Sequence, residues 1–236
     1  MDIVKSIENF VFGMDCLGCG RSSEILDPWL CPDCVRELKS EAMGACFPAE
    51  DVFCLYPMRS VTRRLIHSLK YKSLPGMASY LVRKSSAVHG EISDAMDALP
   101  KPLFFVPVPL HRARYRERGY NQAERIAAAL AALYGGRVCH WLKRKSFRVS
   151  QTKLSKEERE WNVAGAFEAV MPKKIPEKGT LFIVDDVYTT GATTSACLNA
   201  FGDRFPIPTK VCTLLYDQPS TASADYAADI QAFYGA

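Results

Sequence analysis

At 236 residues, 48% hydrophobic and 24% charged, the chain is long enough for one ordinary core and a small appendage. A formal charge of +4 is too small to argue by itself for a nucleic-acid partner, and no apolar run reaches the roughly 20 residues that span a bilayer. The opening MDIVKSIENFVFGMDC lacks the basic region, sustained apolar core and cleavage site of a secretory leader, so a cytoplasmic protein without membrane insertion is expected.

The first organised segment is Cys16-Leu-Gly-Cys19, eleven intervening residues, then Cys31-Pro-Asp-Cys34. Each CxxC turn points two thiolates at one place, and two such turns close a tetrahedron around Zn²⁺ with no open position, hence a structural site. Gly18 and Gly20 supply the tight backbone of the first turn. A pair of redox-active or merely buried thiols is the other reading of the same spacing. Cys46, Cys54, Cys139, Cys197 and Cys212 stand singly among apolar residues and read as small core hydrophobes. Residues 36–58, broken by Pro48 and Pro57, read as an irregular connector. The expected division is 1–50 for knuckle and connector and 51–236 for the main domain.

From Arg59 the period becomes helical, with Val61, Leu65, Ile66 and Leu69 on one face, and a second helix follows Pro75 to about His89. The apolar run at residues 103–109, LFFVPVP, reads as a strand ended by prolines, and Ala123–Leu133 as a strong helix. Then come a short strand at Arg137–Trp141, a helical turn at Ser155–Trp161, a buried strand at Thr180–Asp185, a helix at Thr193–Phe201 and a strand at Lys210–Tyr216. The alternation predicts an α/β domain with a mainly parallel sheet. The Ala-, Ser- and Asp-rich tail beyond Asp217 reads as a loosely held terminus.

The most informative string is Leu181-Phe-Ile-Val-Asp-Asp-Val-Tyr-Thr-Thr-Gly-Ala-Thr193. An apolar strand ends in two acids and passes through a turn of small residues into a helix, and open α/β sheets bind ligands at such strand ends. Thr189, Thr190, Gly191, Ala192 and Thr193 offer hydroxyls and free backbone N–H groups at a helix N-terminus, a cradle for a monophosphate. It is not a Walker loop, since neither its spacing nor its lysine is present. Asp185 and Asp186 would repel a bare phosphate, and they suit ribose hydroxyls and a bound cation instead.

This string resembles the signature of the type I phosphoribosyltransferases. The resemblance implies that fold, with Asp185 and Asp186 holding the ribose directly or through Mg²⁺ and Thr189–Thr193 holding the 5-phosphate of 5-phosphoribosyl-1-pyrophosphate. The pyrophosphate then needs a second site, and the basic loop after Val106-Pro-Val-Pro109, His111-Arg-Ala-Arg114, leads into an RGYNQ turn. Arg112 and Arg118 are the expected anion contacts there, because a guanidinium fork matches phosphate oxygens.

The four-cysteine knuckle, Leu69-Lys-Tyr71, VPVPLHRARYRERGYNQA, Ser150-Gln-Thr-Lys-Leu-Ser155 with Arg159, Asn162 and Gly165-Ala-Phe167, and VDDVYTTGAT together resemble the ComF family over most of residues 14–217. That resemblance implies a link to natural transformation, with incoming single-stranded DNA and other DNA-uptake proteins as partners. It also carries the description amidophosphoribosyltransferase-like. Residues 43–57 are shorter than the usual family connector, which commonly holds a further cysteine pair, so the knuckle is a reduced version.

Glutamine-dependent transfer needs an ammonia-producing domain with a nucleophilic cysteine near the mature start, so amidophosphoribosyl transfer from glutamine is not expected of a sequence that begins Met1-Asp2. Purine-salvage relatives place an acid just ahead of the TG pair, where this chain has Thr189. The expectations are a DNA-uptake accessory using the pocket as a ligand switch, a catalytic phosphoribosyltransferase of unknown acceptor, or a non-catalytic ligand sensor. For single strands the candidates are Lys143, Arg144, Lys145, Arg148, Lys153, Lys156 and the 112–118 arginines, interleaved with Tyr115, Tyr120, Trp141, Phe147 and Trp161.

Overall fold

A computed structural model describes residues 14–23, 26–42, 46–72, 74–87, 90–145 and 165–217. The helical turn expected at Ser155–Trp161, the Ser150–Ser155 motif with Arg159 and Asn162, and the tail from 218 lie outside these residues.

A two-stranded ribbon, β1 (Met14–Asp15) and β2 (Ser22–Ser23), precedes helix α1 (Pro32–Ala42). Strands β3 (Cys46–Ala49) and β4 (Val52–Pro57) are followed by three helices, α2 (Ser60–Tyr71), α3 (Gly76–Ser86) and α4 (Gly90–Ala98). Strand β5 (Leu103–Pro107) leads into α5 (Arg112–Arg118) and α6 (Gln122–Tyr134), then β6 (Gly136–Val138). A hairpin of β7 (Leu142–Arg144) and β8 (Phe167–Ala169) precedes β9 (Thr180–Tyr188), α7 (Ala192–Phe201) and β10 (Thr209–Tyr216).

Among the described residues the central sheet has six strands in the order β3-β4-β10-β9-β5-β6, parallel throughout except for the edge strand β3. A parallel sheet is covered on both faces, which is why its strands are unbroken apolar runs. Alternation divides them: Leu103, Phe105, Phe182 and Val184 face α1–α4 and α6, whereas Phe104, Val106, Leu181 and Ile183 face α7 and the β7–β8 hairpin.

Three expectations are corrected. Residues 36–58 are not an irregular connector: they contain most of α1, the edge strand β3 and the buried strand β4, whose terminal Pro57 marks an end and not a break. Of Arg137–Trp141 only residues 137 and 138 are strand, the end of β6 on the parallel sheet; residues 139–141 are a link to β7, which starts at Leu142. The basic segment 112–118 is helical, ended by Gly119 at φ 76°, a left-handed conformation that costs glycine nothing. The division expected at residue 50 falls in the turn between the antiparallel partners β3 and β4.

Helix α2 has no acid in its own first turn. Glu41, from the last turn of α1, fills that place: its carboxylate accepts the backbone N–H groups of Val61 and Thr62, both at 3.3 Å, and the Ser60 hydroxyl at 3.2 Å. Burial pushes the Glu41 carboxyl above its ordinary range, and the two backbone donors pull it back. Replacing Glu41 by Ala leaves these donors without their acceptor, and chemical denaturation is expected to show a loss of about 1–2 kcal/mol.

Candidate functional site

Because β4, β10, β9 and β5 run parallel, their carboxyl ends open at one edge of the sheet. The segments leaving that edge are the β4–α2, β5–α5 and β9–α7 connections. The Val108 N–H donates to the Val184 carbonyl at 2.9 Å and the Asp217 N–H to the Tyr188 carbonyl at 2.8 Å, which ties these ends together.

Asp185 and Asp186 lie in the carboxyl-terminal half of β9. The Asp186 N–H donates to Asp185 Oδ1 at 2.8 Å. Burial, then the neighbouring Asp186 charge, pushes the Asp185 carboxyl up to about 7, against the pull of that N–H and of the Lys70 and Arg144 charges. Residues 187–194 line an open pocket directly beyond. Gly191 caps α7 at φ 77°, where another residue would be strained, and a Cβ there would lie 2.6 Å from the Tyr188 hydroxyl oxygen and force that ring to shift. The Thr194 hydroxyl donates to the Gly191 carbonyl at 2.9 Å, and Thr190 Oγ1 accepts from the Ala192 N–H at 3.4 Å. Thr189 and Thr190 are exposed. Two adjacent carboxylates and a helix N-terminus make a donor set suited to sugar hydroxyls, a divalent cation and an anion in sequence along the turn.

The Leu69-Lys-Tyr71 tripeptide at the end of α2 meets the acid end of β9 and the end of α5 with the turn that follows it. Lys70 Nζ lies 3.2 Å from Asp186 Oδ2. The Tyr120 hydroxyl donates to the Leu69 carbonyl, and the Arg118 guanidinium stacks over the Tyr71 ring, 5.4 Å from its centroid. Arg118 Nη1 also donates to Gln122 Oε1 at 3.0 Å. Arg118 is thus held at this edge, whereas Arg112 stands exposed in the first turn of α5. Asn121 fixes the RGYNQ turn: Oδ1 accepts the Ala123 N–H at 3.1 Å and Nδ2 donates to the Val108 carbonyl at 3.0 Å.

The aromatic residues divide. Tyr120 is buried, and Trp141 packs between Phe104 and Phe205 at 5.2 and 5.1 Å, so both are packing residues. Tyr115 is 51% exposed on basic α5, and Tyr71, equally exposed, joins it. Lys143 pairs with Glu168 at 3.3 Å. Arg148, Lys153, Lys156, Phe147 and Trp161 lie outside the described residues.

Cys16, Cys19, Cys31 and Cys34 form one cluster whose sulfurs all lie within 4.8 Å of one another, and it can hold a metal ion. Cys19 Sγ and Cys31 Sγ are 3.8 Å apart, the edge of a tetrahedron with metal–sulfur distances of about 2.3 Å. The Gly18 and Cys31 N–H groups donate to Cys16 Sγ at 3.3 and 3.2 Å, and Arg21 Nε to Cys19 Sγ at 3.4 Å. Burial raises the Cys19 thiol, but hydrogen bonds led by Arg21 bring it down to about 6; burial and crowding by Cys16 push Cys34 far up. Only a bound cation lets all four ionise together. Cys54, Cys197 and Cys212 are buried core residues, as expected. Among the described residues no helix is long and apolar enough to cross a membrane.

No protein-family model matches the chain. It is 24% identical to Competence protein F of Haemophilus influenzae over 209 residues, covering 77% of this chain and 88% of that protein. It is 34% identical to DNA utilization protein YhgH of Salmonella typhi over 136 residues, 55% and 56% of the two chains. With DNA utilization protein YhgH of Escherichia coli K12 the identity is 28% over 191 residues, 75% and 79% of the two.

Proposed function

We propose that this chain, a ComF-family homologue of Competence protein F and of the YhgH proteins, supports the uptake or handling of single-stranded DNA in the cytoplasm through a phosphoribosyl-ligand site. The observation that carries the reading is the convergence at one sheet edge of the acid pair, the glycine-capped anion turn and the cations Lys70 and Arg118. The fold that goes with it is the type I phosphoribosyltransferase arrangement, with a zinc ion held by Cys16, Cys19, Cys31 and Cys34 as a structural brace.

In this reading Asp185 and Asp186 accept the ribose hydroxyls of 5-phosphoribosyl-1-pyrophosphate, and residues 189–193 donate backbone N–H groups and hydroxyls to its 5-phosphate. Arg118, already stacked on Tyr71, and Arg112 on the exposed face of α5 reach toward the pyrophosphate. Mg²⁺, held between the ligand and the acid pair, would neutralise the leaving-group charge. The exposed Tyr115 among the α5 arginines offers a stacking face to unpaired bases.

Isothermal titration with 5-phosphoribosyl-1-pyrophosphate tests the site. Binding by the metal-replete protein is expected to require Mg²⁺ and to disappear in an Asp185→Ala, Asp186→Ala double variant. A folded wild-type protein that takes up no ligand overturns the reading. Release of pyrophosphate with a defined acceptor would make the protein a transferase, the second reading, for which an Asp185 carboxyl near 7 supplies a group able to exchange a proton.

A further inference from the structure

We propose that Lys70 is a further ligand-binding residue of this site, exchanging Asp186 for an anionic oxygen of the phosphoribosyl ligand; the inference rests on the reading of the pocket just given. Lys70 lies in the last turn of α2, and its ammonium lies against Asp186 Oδ2 at 3.2 Å, with the two side chains only 23% and 16% exposed. A half-buried ammonium that loses its counter-ion is costly and takes another.

Asp186 cannot keep that partnership unchanged when it accepts a ribose hydroxyl or a divalent cation, because both compete for the same carboxylate charge. Among the described residues no second acid forms an ion pair with Lys70, and Asp185, whose carboxyl Lys70 also influences, is pushed toward its neutral form by burial. The other charges recorded at this end of α2 are cationic: after burial, Lys72 helps Lys70 to lower the His67 pKa, and the Arg118 guanidinium lies over Tyr71. The negative charge that Lys70 meets on leaving Asp186 is therefore the ligand's own. A compact ammonium on a flexible four-carbon stem suits such an exchange, where an arginine fork would be tied to one geometry.

The same competition makes a prediction about metal alone. Lys70 opposes a bare cation at Asp186 and favours a cation that arrives with its anionic ligand. The pocket therefore selects the metal–ligand complex over the free ion.

The test is titration of wild type, Lys70→Met and Lys70→Arg, each first shown to be folded by circular dichroism, with Mn²⁺ alone and with 5-phosphoribosyl-1-pyrophosphate plus Mg²⁺. Lys70→Met is expected to weaken the ligand complex by about tenfold or more, to strengthen Mn²⁺ alone, and to be partly rescued by Lys70→Arg. Weakening of both by Lys70→Met would reduce Lys70 to a support for the acids and overturn the exchange. Unchanged ligand affinity overturns it too. Wild-type protein that binds no ligand overturns the parent reading and the exchange with it, so the two failures are told apart by the wild-type arm.

Discussion

Cys34→Ser is expected to yield protein with substantially less than one bound zinc per chain and a stability lower by about 3 kcal/mol or more, read by elemental analysis and urea denaturation. The size of the effect follows from where the cysteines sit. Cys16, Cys31 and Cys34 belong to the same apolar cluster as Leu65, Leu69 and Phe182, so the cysteine cluster is built into the face of the sheet covered by α1–α4 and α6. Gly18 packs so closely on Cys34 that a Cβ would come within 2.8 Å of its sulfur. Cys34 also opens α1, whose Glu41 caps α2, which in turn carries Lys70. Loosening the first link thus reaches the carboxyl edge of the sheet. Cys139→Ser, half-buried and outside the cluster, is the control and is expected to change neither metal content nor stability appreciably. A metal-free Cys34→Ser protein of wild-type stability would show the cluster to be dispensable.

The parts of this architecture legible in the sequence are those where one local rule acts alone. CxxC spacing depends on two short turns, and the four cysteines do converge. The run from Leu181 to Asp186 is buried along most of its length, so its apolar character and terminal acids announce a central parallel strand. Strand β4 is as apolar, yet Pro57 and the preceding Pro48 suggest a breaker, because a proline closing a strand and one interrupting a coil look alike without the pairing partner β10. Helix α4 buries only Ile92 and Met96, too few apolar positions to announce a period.

At the site the limit is different in kind. Lys70 is 116 positions from Asp186 in sequence, and nothing in either local pattern links them. The Leu69-Lys-Tyr71 motif is visible as a string, but the use of all three members, one carbonyl, one ammonium and one ring, appears only when β4 and β9 lie parallel on either side of β10. Tyr120 and Trp141 fail as stacking candidates for the same reason. Aromatic residues beside basic ones look alike whether they face solvent or the core, and these two are taken by the Leu69 carbonyl and by Phe104 and Phe205.

Asp185→Asn is expected to stabilise the protein while abolishing measurable ligand binding, two effects of opposite sign at one atom. Burial, and next the Asp186 charge, raise the Asp185 carboxyl from its ordinary range to about 7 in the folded chain. Between pH 4 and 7 the folded state therefore binds a proton that the unfolded state has released, and wild-type stability falls as pH rises through that window. Above pH 7 the ionised carboxylate carries the full penalty. The amide of the Asp185→Asn variant never ionises, and its side-chain carbonyl can still accept the Asp186 N–H that Asp185 accepts at 2.8 Å. The variant's advantage over wild type should be near zero at pH 4 and grow to ~2 kcal/mol at pH 8, a figure lowered by partial exposure and the nearby Lys70 charge. Urea denaturation across that pH range measures it, and a difference that does not change with pH would show that the Asp185 carboxyl titrates alike in the folded and unfolded chain. A carboxylate retained at a position where the amide is more stable is one kept for what it binds.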